Sequence, residues 1–320
     1  MSGDILVKEK SMKFDCFLKN AKLLNKEYNI VPLLYGSLGL EVLINTSLNA
    51  DDIDILIPER YLSVSGWLEF RSFLERDGYK LIDEHEHTFR KDGVNYSYAS
   101  VEGLKEFADI DVCDIEIHSI SETKFMLLSL EQYLKVYQKS SLDGYRMNVK
   151  EKQDDRKIEF IKKKLYSIRK LKTNEISILT ELFDYKDVDE MIAENTRAII
   201  NGNIDIFALF CGNKIIGELR VKYCSDDVRF AETNKRAYFY AFRIHKNYQS
   251  KGLGNFLLEY VLAALRQNGY NEYTVGVEDD NTKARYIYEK HGFTVPIARV
   301  KESYQGDSYE YNLLLKNDNQ

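Results

Sequence analysis

The segment Gln249-Ser250-Lys251-Gly252-Leu253-Gly254 holds residue types suited to cradling a phosphate. It follows an apolar strand pattern and opens a helical one. The first N–H groups of a helix lack internal partners and carry the positive end of its dipole. Two glycines let the backbone approach a pyrophosphate closely, so an anion fits there. The same G-x-G turn also serves plain helix–strand packing, so the surrounding pattern must decide between the two. In the first half of the chain, Asp52 and Asp54 flank Ile53. Residues i and i+2 of a strand share a face. Two carboxylates side by side suit Mg²⁺, which in turn holds triphosphate oxygens. Upstream, Gly36-Ser37 supplies a turn through which terminal phosphates could reach the backbone.

The elements that must position these residues follow from periodicity. In the second half, helical spacing covers Asp187 to Ile200, and strands are expected at 204–211 and 214–223 around the Gly212-Asn213 turn. A further strand spans Ala237 to Ile244. A helix from Gly252 to Gln267 turns Leu253, Phe256, Leu257, Tyr260, Val261 and Ala264 inward, and Gly269 stands where a C-terminal cap belongs. A strand at 273–277, a helix at 282–290 and strands near 294–300 and 308–315 complete that half.

The first half opens with a helix whose face is Phe14, Phe17, Leu18, Ala21 and Leu24. A short apolar run, 30–35, ends at Gly36-Ser37, and strands are expected at 53–58 and 94–99. Ser129 followed by Gln132 is a capping-box pattern that starts a helix reaching Gln138. The charge-dense stretch 150–164 carries Ile158, Ile161 and Leu165 at helical spacing, which predicts a helix with a solvated face. It supplies the best boundary: two domains, 1–165 and 166–320, both mixed α/β (α+β mixed sheets) layers.

The ordered series strand, Q-x-x-G-x-G, helix, strand, Asn281-x-x-Ala284, then Tyr288-Glu-Lys-x-Gly292-Phe293 resembles the GNAT superfamily of N-acetyltransferases over roughly residues 167–315. The resemblance implies that Gln249, Ser250, Lys251, Gly252, Leu253 and Gly254, with Asn255, hold the pyrophosphate of acetyl-coenzyme A. Phe242 to Ile244 would pair with its pantetheine arm, where a backbone N–H polarises the thioester carbonyl. Asn281 would touch the cofactor. Tyr288 falls where these enzymes keep the tyrosine that protonates the departing thiolate, with Tyr286 as a nearby competitor. The general base is open between Glu218, Glu278 and a water chain.

Gly36-Ser37 followed by Asp52-Ile-Asp54 resembles the nucleotidyltransferase superfamily, and implies a fold that binds a nucleoside triphosphate with Mg²⁺. That family's third carboxylate has no counterpart in 94–99, while Asp109, Asp111, Asp114 and Glu116 cluster downstream. His85 and His87 read as a solvated strand or loop.

Composition sets the outer limits. The chain has 320 residues, 44% hydrophobic and 30% charged, which is ordinary for a globular protein and argues against disorder. Its net charge of -6 makes sequence-independent nucleic-acid binding unexpected. The acidity sits mostly in residues 1–165, with 24 basic and 29 acidic side chains, against 21 and 22 afterwards; long-range steering of a cationic acceptor would follow from it. Four scattered cysteines read as buried reduced thiols. The first ten residues lack an apolar leader, and no stretch is long enough to span a bilayer. The expectation is a cytoplasmic protein without a membrane partner, and a homodimer is left open. Function is expected to be acetyl-coenzyme A-dependent N-acetylation of a primary amine on a small molecule. The alternatives are Mg²⁺-dependent nucleotidyl transfer with an accessory GNAT domain, and a non-catalytic sensor of acetyl-coenzyme A or nucleotide.

Overall fold

A computed structural model describes residues 11–141, 151–304 and 307–319. The first ten residues, expected to carry no leader, lie outside them. The chain divides into two compact units, 1–165 and 166–320.

The first unit runs α1 (Met12–Tyr28), β1 (Leu33–Leu34), α2 (Gly36–Ile44), β2 (Ile53–Ile57), α3 (Val64–Arg76), β3 (Lys80–Asp83), β4 (Thr88–Lys91) and β5 (Val94–Ser100). It continues with α4 (Gly103–Ala108), β6 (Glu116–Ile120), β7 (Thr123–Leu127), α5 (Leu130–Ser140) and α6 (Glu151–Leu165). Ser11 caps α1 by accepting from the Phe14 N–H, and Phe14, Phe17, Ala21 and Leu24 are buried, as their spacing requires. The expected capping box of α5 is present: Ser129 Oγ accepts from the Gln132 N–H, and Gln132 Oε1 from the Ser129 N–H. The described strands form one sheet in the order β3-β4-β5-β2-β1-β7-β6. Within it β1 is antiparallel to β2, and β2 is parallel to β5. His85 and His87 fall in the turn between β3 and β4.

The second unit runs β8 (Tyr166–Lys170), a 3-10 stretch (Thr173–Glu181), α7 (Val188–Ile200), β9 (Ile204–Cys211), β10 (Lys214–Lys222) and β11 (Arg236–Ile244). Then come α8 (Leu253–Gln267), β12 (Glu272–Val277), α9 (Thr282–Lys290), β13 (Val295–Tyr304) and β14 (Asp307–Asn317). The sheet order is β13-β14-β12-β11-β10-β9-β8. Among the described residues of this unit only the β11–β12 pair is parallel, joined by the α8 crossover.

That parallel pair is short. It runs from Arg236↔Glu272 to Phe239↔Val275 and stops, although β11 continues to Ile244 and β12 to Val277. Beyond Phe239, β11 stays with β10, where Arg243 faces Glu218 and Ile244 faces Gly217. Beyond Val275, β12 stays with β14, where Val277 faces Asn312. The two strands therefore part in the middle of the sheet. A bulge accompanies the parting: Ala241 and Phe242 lie against Leu219 alone, and Ala241 adopts φ +48°.

The two faces of this sheet differ. Ile204, Ile206, Ala208 and Phe210 of β9 pack with α7 and the 3-10 stretch. Glu218 and Arg220 pair with Ala208 and Ile206, so they share that face. The opposite face carries α8, whose buried residues are Leu253, Leu257, Leu258, Val261, Leu262 and Leu265. The expected face of α8 is thus rotated: Tyr260 is 45% exposed. Leu258, Leu262 and Leu265 bury more apolar surface than Tyr260, whose hydroxyl is better left in water. The cysteines are free, but Cys113 and Cys224 are exposed and the other two half-buried, so the expectation that all are buried fails. Among the described residues no helix is long and apolar enough to cross a membrane.

Candidate active site

The loop between β11 and α8 reaches its shape through two left-handed residues, Ser250 at φ +61° and Gly252 at φ +69°. Gly252 is the N-cap of α8 and offers no side-chain oxygen to the first turn. The amides of that turn are therefore left for a ligand. Gln249 is tied back by its side chain, which donates to the Ile244 carbonyl at 2.9 Å. Lys251 lies over the Tyr248 ring at 5.1 Å. Gly254 faces Phe242 and Ile287, each 3.5 Å from where a Cβ would stand. Asn255 Oδ1 is buried and has no hydrogen-bond partner. A buried acceptor without a donor costs about 1–3 kcal/mol. A ligand carrying N–H groups would satisfy it, so the residues present fit a pantetheine-pyrophosphate cofactor.

Tyr288, on α9, is buried in the same region. Its ring lies 6.2 Å from Phe242 and 5.8 Å from Phe293. Burial pushes its phenol well above the usual tyrosine range. A phenol holds its proton at neutral pH with or without this shift, which by disfavouring the phenolate makes it a weaker proton donor. Tyr286, the competitor, is 68% exposed. Asn281 caps α9, its side chain accepting from the Ala284 N–H at 3.1 Å. That explains its place in the sequence without a ligand.

Glu218 is fully buried on the other face of the sheet. Its Oε2 receives Arg220 Nε at 2.7 Å and its Oε1 receives Arg243 Nη1 at 2.7 Å. Arg220 also donates to Asn195 Oδ1, and both arginines donate to the Tyr185 hydroxyl. Accepting a proton would discharge the carboxylate between two guanidiniums. The geometry makes Glu218, one of the open candidates for the general base, the centre of an ion-pair network. The missed residues are Tyr185, Arg220 and Arg243. The i, i+2 pair Glu218-Leu-Arg220 was the available signal.

In the first unit the Gly36-Ser37 turn opens α2, with Gly36 at φ +62°. A Cβ on Gly36 would stand 1.9 Å from Asp54 Oδ2, so the turn and that carboxylate are in direct contact. Ser37 Oγ accepts from Lys157 Nζ at 2.9 Å. Lys157 also lies 3.7 Å from Asp154 and over the Tyr137 ring. The helix α6 is therefore not simply solvated: Lys157 turns inward because its ammonium finds both a hydroxyl and a carboxylate. Asp54 faces Ser97 on β5, so the neighbouring strand adds no third carboxylate. Asp109 and Asp111 instead pair with Lys105. Among the described residues no group of three or more His, Cys, Asp or Glu side chains could hold a metal ion.

Residues 171–293 match the model of the acetyltransferase (GNAT) family. The uncharacterized protein YnaI of Bacillus subtilis (strain 168) is 43% identical over 147 residues, covering 46% of this chain and 94% of that protein. Among solved structures, yncA from Salmonella typhimurium, determined with its cofactor acetyl-CoA, is 17% identical with a TM-score of 0.39, over 48% of this chain and 94% of that one. A spermidine N-acetyltransferase SpeG chimera from Vibrio cholerae and hSSAT is 18% identical with a TM-score of 0.40, over 48% and 96%. The C-terminal unit holds a GNAT acetyltransferase domain.

Proposed function

We propose that the C-terminal unit, taken as a domain of residues 166–320, moves the acetyl group of acetyl-coenzyme A onto a primary amine of a small molecule. The observation that carries this reading is the parting of β11 from β12 beside the open N-terminus of α8, with a buried phenol on the same side. The cofactor, when bound, supplies an activated acetyl thioester. The amides of Leu253, Gly254 and Asn255 would bind its phosphates, aided by Ser250, Lys251 and the φ > 0 backbone at Gly252. The segment Phe242–Ile244, released from β12, would offer backbone groups to the pantetheine arm and an N–H to the thioester oxygen. Tyr288 would hold a proton for the departing sulfur. The amine loses its proton to water, since Glu218 is committed to two arginines.

The test is coenzyme A release across a panel of amines, with Tyr288→Phe beside the wild type. Loss of a general acid should lower turnover by roughly 10²–10⁴-fold, while acetyl-coenzyme A affinity stays close to wild type. Unchanged turnover would remove Tyr288 from the mechanism.

For residues 1–165 we propose a nucleotide-phosphate site without assigned catalysis, at Gly36 and Ser37. The ammonium of Lys157 on Ser37 Oγ supports it, because it sets a cation at the turn against the carboxylates of Asp54 and Asp154. Titration calorimetry with ATP, with and without Mg²⁺, should show binding that survives Asp52→Asn in the absence of the metal. No binding in either condition would refute the site.

A further inference from the structure

We infer that the acetyl acceptor carries a carboxylate, and that the Nε–Nη2 edge of Arg243, at the parted end of β11, binds it. The inference rests on the acetyl-transfer reading above and narrows its substrate class.

Arg243 follows Phe242, whose ring lies on the α8 face, and projects to the opposite face. It stands in the stretch of β11 that has left β12. Its Nη1 is occupied by Glu218 Oε1 at 2.7 Å and the Tyr185 hydroxyl at 3.0 Å. Its guanidinium lies 4.0 Å from the Phe183 ring centre, which fixes the plane. The Nε and Nη2 donors make no hydrogen bond to the described residues, and the side chain is 28% exposed. Nε–H and Nη2–H point the same way and form the fork that takes a carboxylate side-on. The same chain uses that edge elsewhere: Arg266 meets Asp318 through Nε and Nη2 at 2.6 and 3.3 Å.

Charge points in the same direction. Arg220 and Arg243 bring two positive charges and Glu218 one negative, with Tyr185 and Asn195 neutral. The charged groups that act on the half-buried phenol of Tyr185 are these same three, and Arg220 and Glu218 act on that of Tyr240. The cluster keeps one excess positive charge in a largely desolvated place, where a ligand anion is worth more than in water. An ammonium-only acceptor would meet repulsion there. The fork matches the paired oxygens of a carboxylate, whose single charge balances the one excess positive charge, whereas a phosphate dianion would leave a negative surplus.

The experiment uses the full chain and matched sets of amines: β-alanine, its carboxamide, 2-aminoethylphosphonic acid and spermidine. Coenzyme A release should favour the carboxylate over its carboxamide by roughly 10- to 100-fold in kcat/KM, the range for charge-assisted hydrogen bonds. Arg243→Gln should erase that preference and raise the acid's KM, with the KM for acetyl-coenzyme A unchanged. Arg243→Lys keeps the charge without the fork and should lose most of the preference, which guards against a folding defect in the first variant. Turnover that is equal for acid and amide, or better with the phosphonate or spermidine, overturns the carboxylate assignment while leaving acetyl transfer standing. If no amine turns over, saturation-transfer NMR on the coenzyme A-loaded protein decides. Binding of β-alanine that vanishes in Arg243→Gln upholds the site and sinks the transfer reading. Absence of binding overturns the inference.

Discussion

Glu218→Gln is the substitution that most directly separates structure from catalysis. The carboxylate is fully buried and receives two guanidinium hydrogen bonds at 2.7 Å, one on each oxygen. Charge-assisted bonds are worth about 1.5–3 kcal/mol each. Breaking a buried pair by removing one partner costs about 3–5 kcal/mol, because the remaining charge is stranded. Arg220 is the stranded group, its side chain only 8% exposed, whereas Arg243 reaches solvent and contributes less. The expected loss is therefore about 3–5 kcal/mol. For a unit of this size each kcal/mol moves the melting midpoint by about 2–4 °C, so a fall of roughly 6–20 °C is expected in circular-dichroism melts of the full chain. Adding Arg220→Met should recover part of it, since the stranded charge is then gone. A midpoint within about 3 °C of wild type, together with lost turnover, would refute the reasoning and return Glu218 to the role of general base.

Two further outcomes follow from the site. Gly252→Asp places a side chain where φ is +69° and a negative charge at the N-terminus of α8. Acetyl-coenzyme A affinity by calorimetry should fall at least about tenfold, and an unchanged Kd would remove the loop from the cofactor site. His291 is held above the ordinary imidazole range first by its hydrogen bond to Glu259. A folded value above the unfolded one gives stability that is complete below about pH 6.5 and disappears as pH rises through the folded value. Glu259→Gln should therefore lower the urea midpoint at pH 5.5 and leave it unchanged at pH 8.5, by less than about 1 kcal/mol because Glu259 is exposed. The reverse trend would contradict the pairing.

Local pattern made much of this fold legible. The strands at 204–211 and 214–222, α7 with its Asp187 cap, and α9 over 282–290 stand where periodicity and turn chemistry place them. The loop at 249–254 was readable because glycine and a following helix are local features. What escaped depends on pairing across distance. The strands β3, β4 and β6 are short and partly exposed, β7 is buried but only five residues long, and α3 is regular in its Ser63 cap and its Trp67, Phe70 and Leu74 stripe. The inward turn of Lys157 depends on Ser37, 120 residues earlier in sequence. Glu218 stands among the candidate bases in the sequence because nothing local announces Arg243 across the strand.

The bulge at Ala241 ties these observations into one device. Without it, alternation along β11 would put Tyr240 and Phe242 on one face, and Arg243 on the other with Phe239. The extra residue resets the count, so Tyr240 and Arg243 face Arg220 and Glu218 while Phe242 faces Tyr288. At the same place β11 leaves β12, which frees backbone for a ligand on the strand that carries both side chains. On the acetyl-transfer reading, Tyr288 on one side and the Arg243 fork on the other would serve this one gap in the sheet. An acceptor approaching from the arginine face would meet the thioester with its acid already on the far side. On that reading the charge on this face, rather than the acidity of residues 1–165, would select the amines.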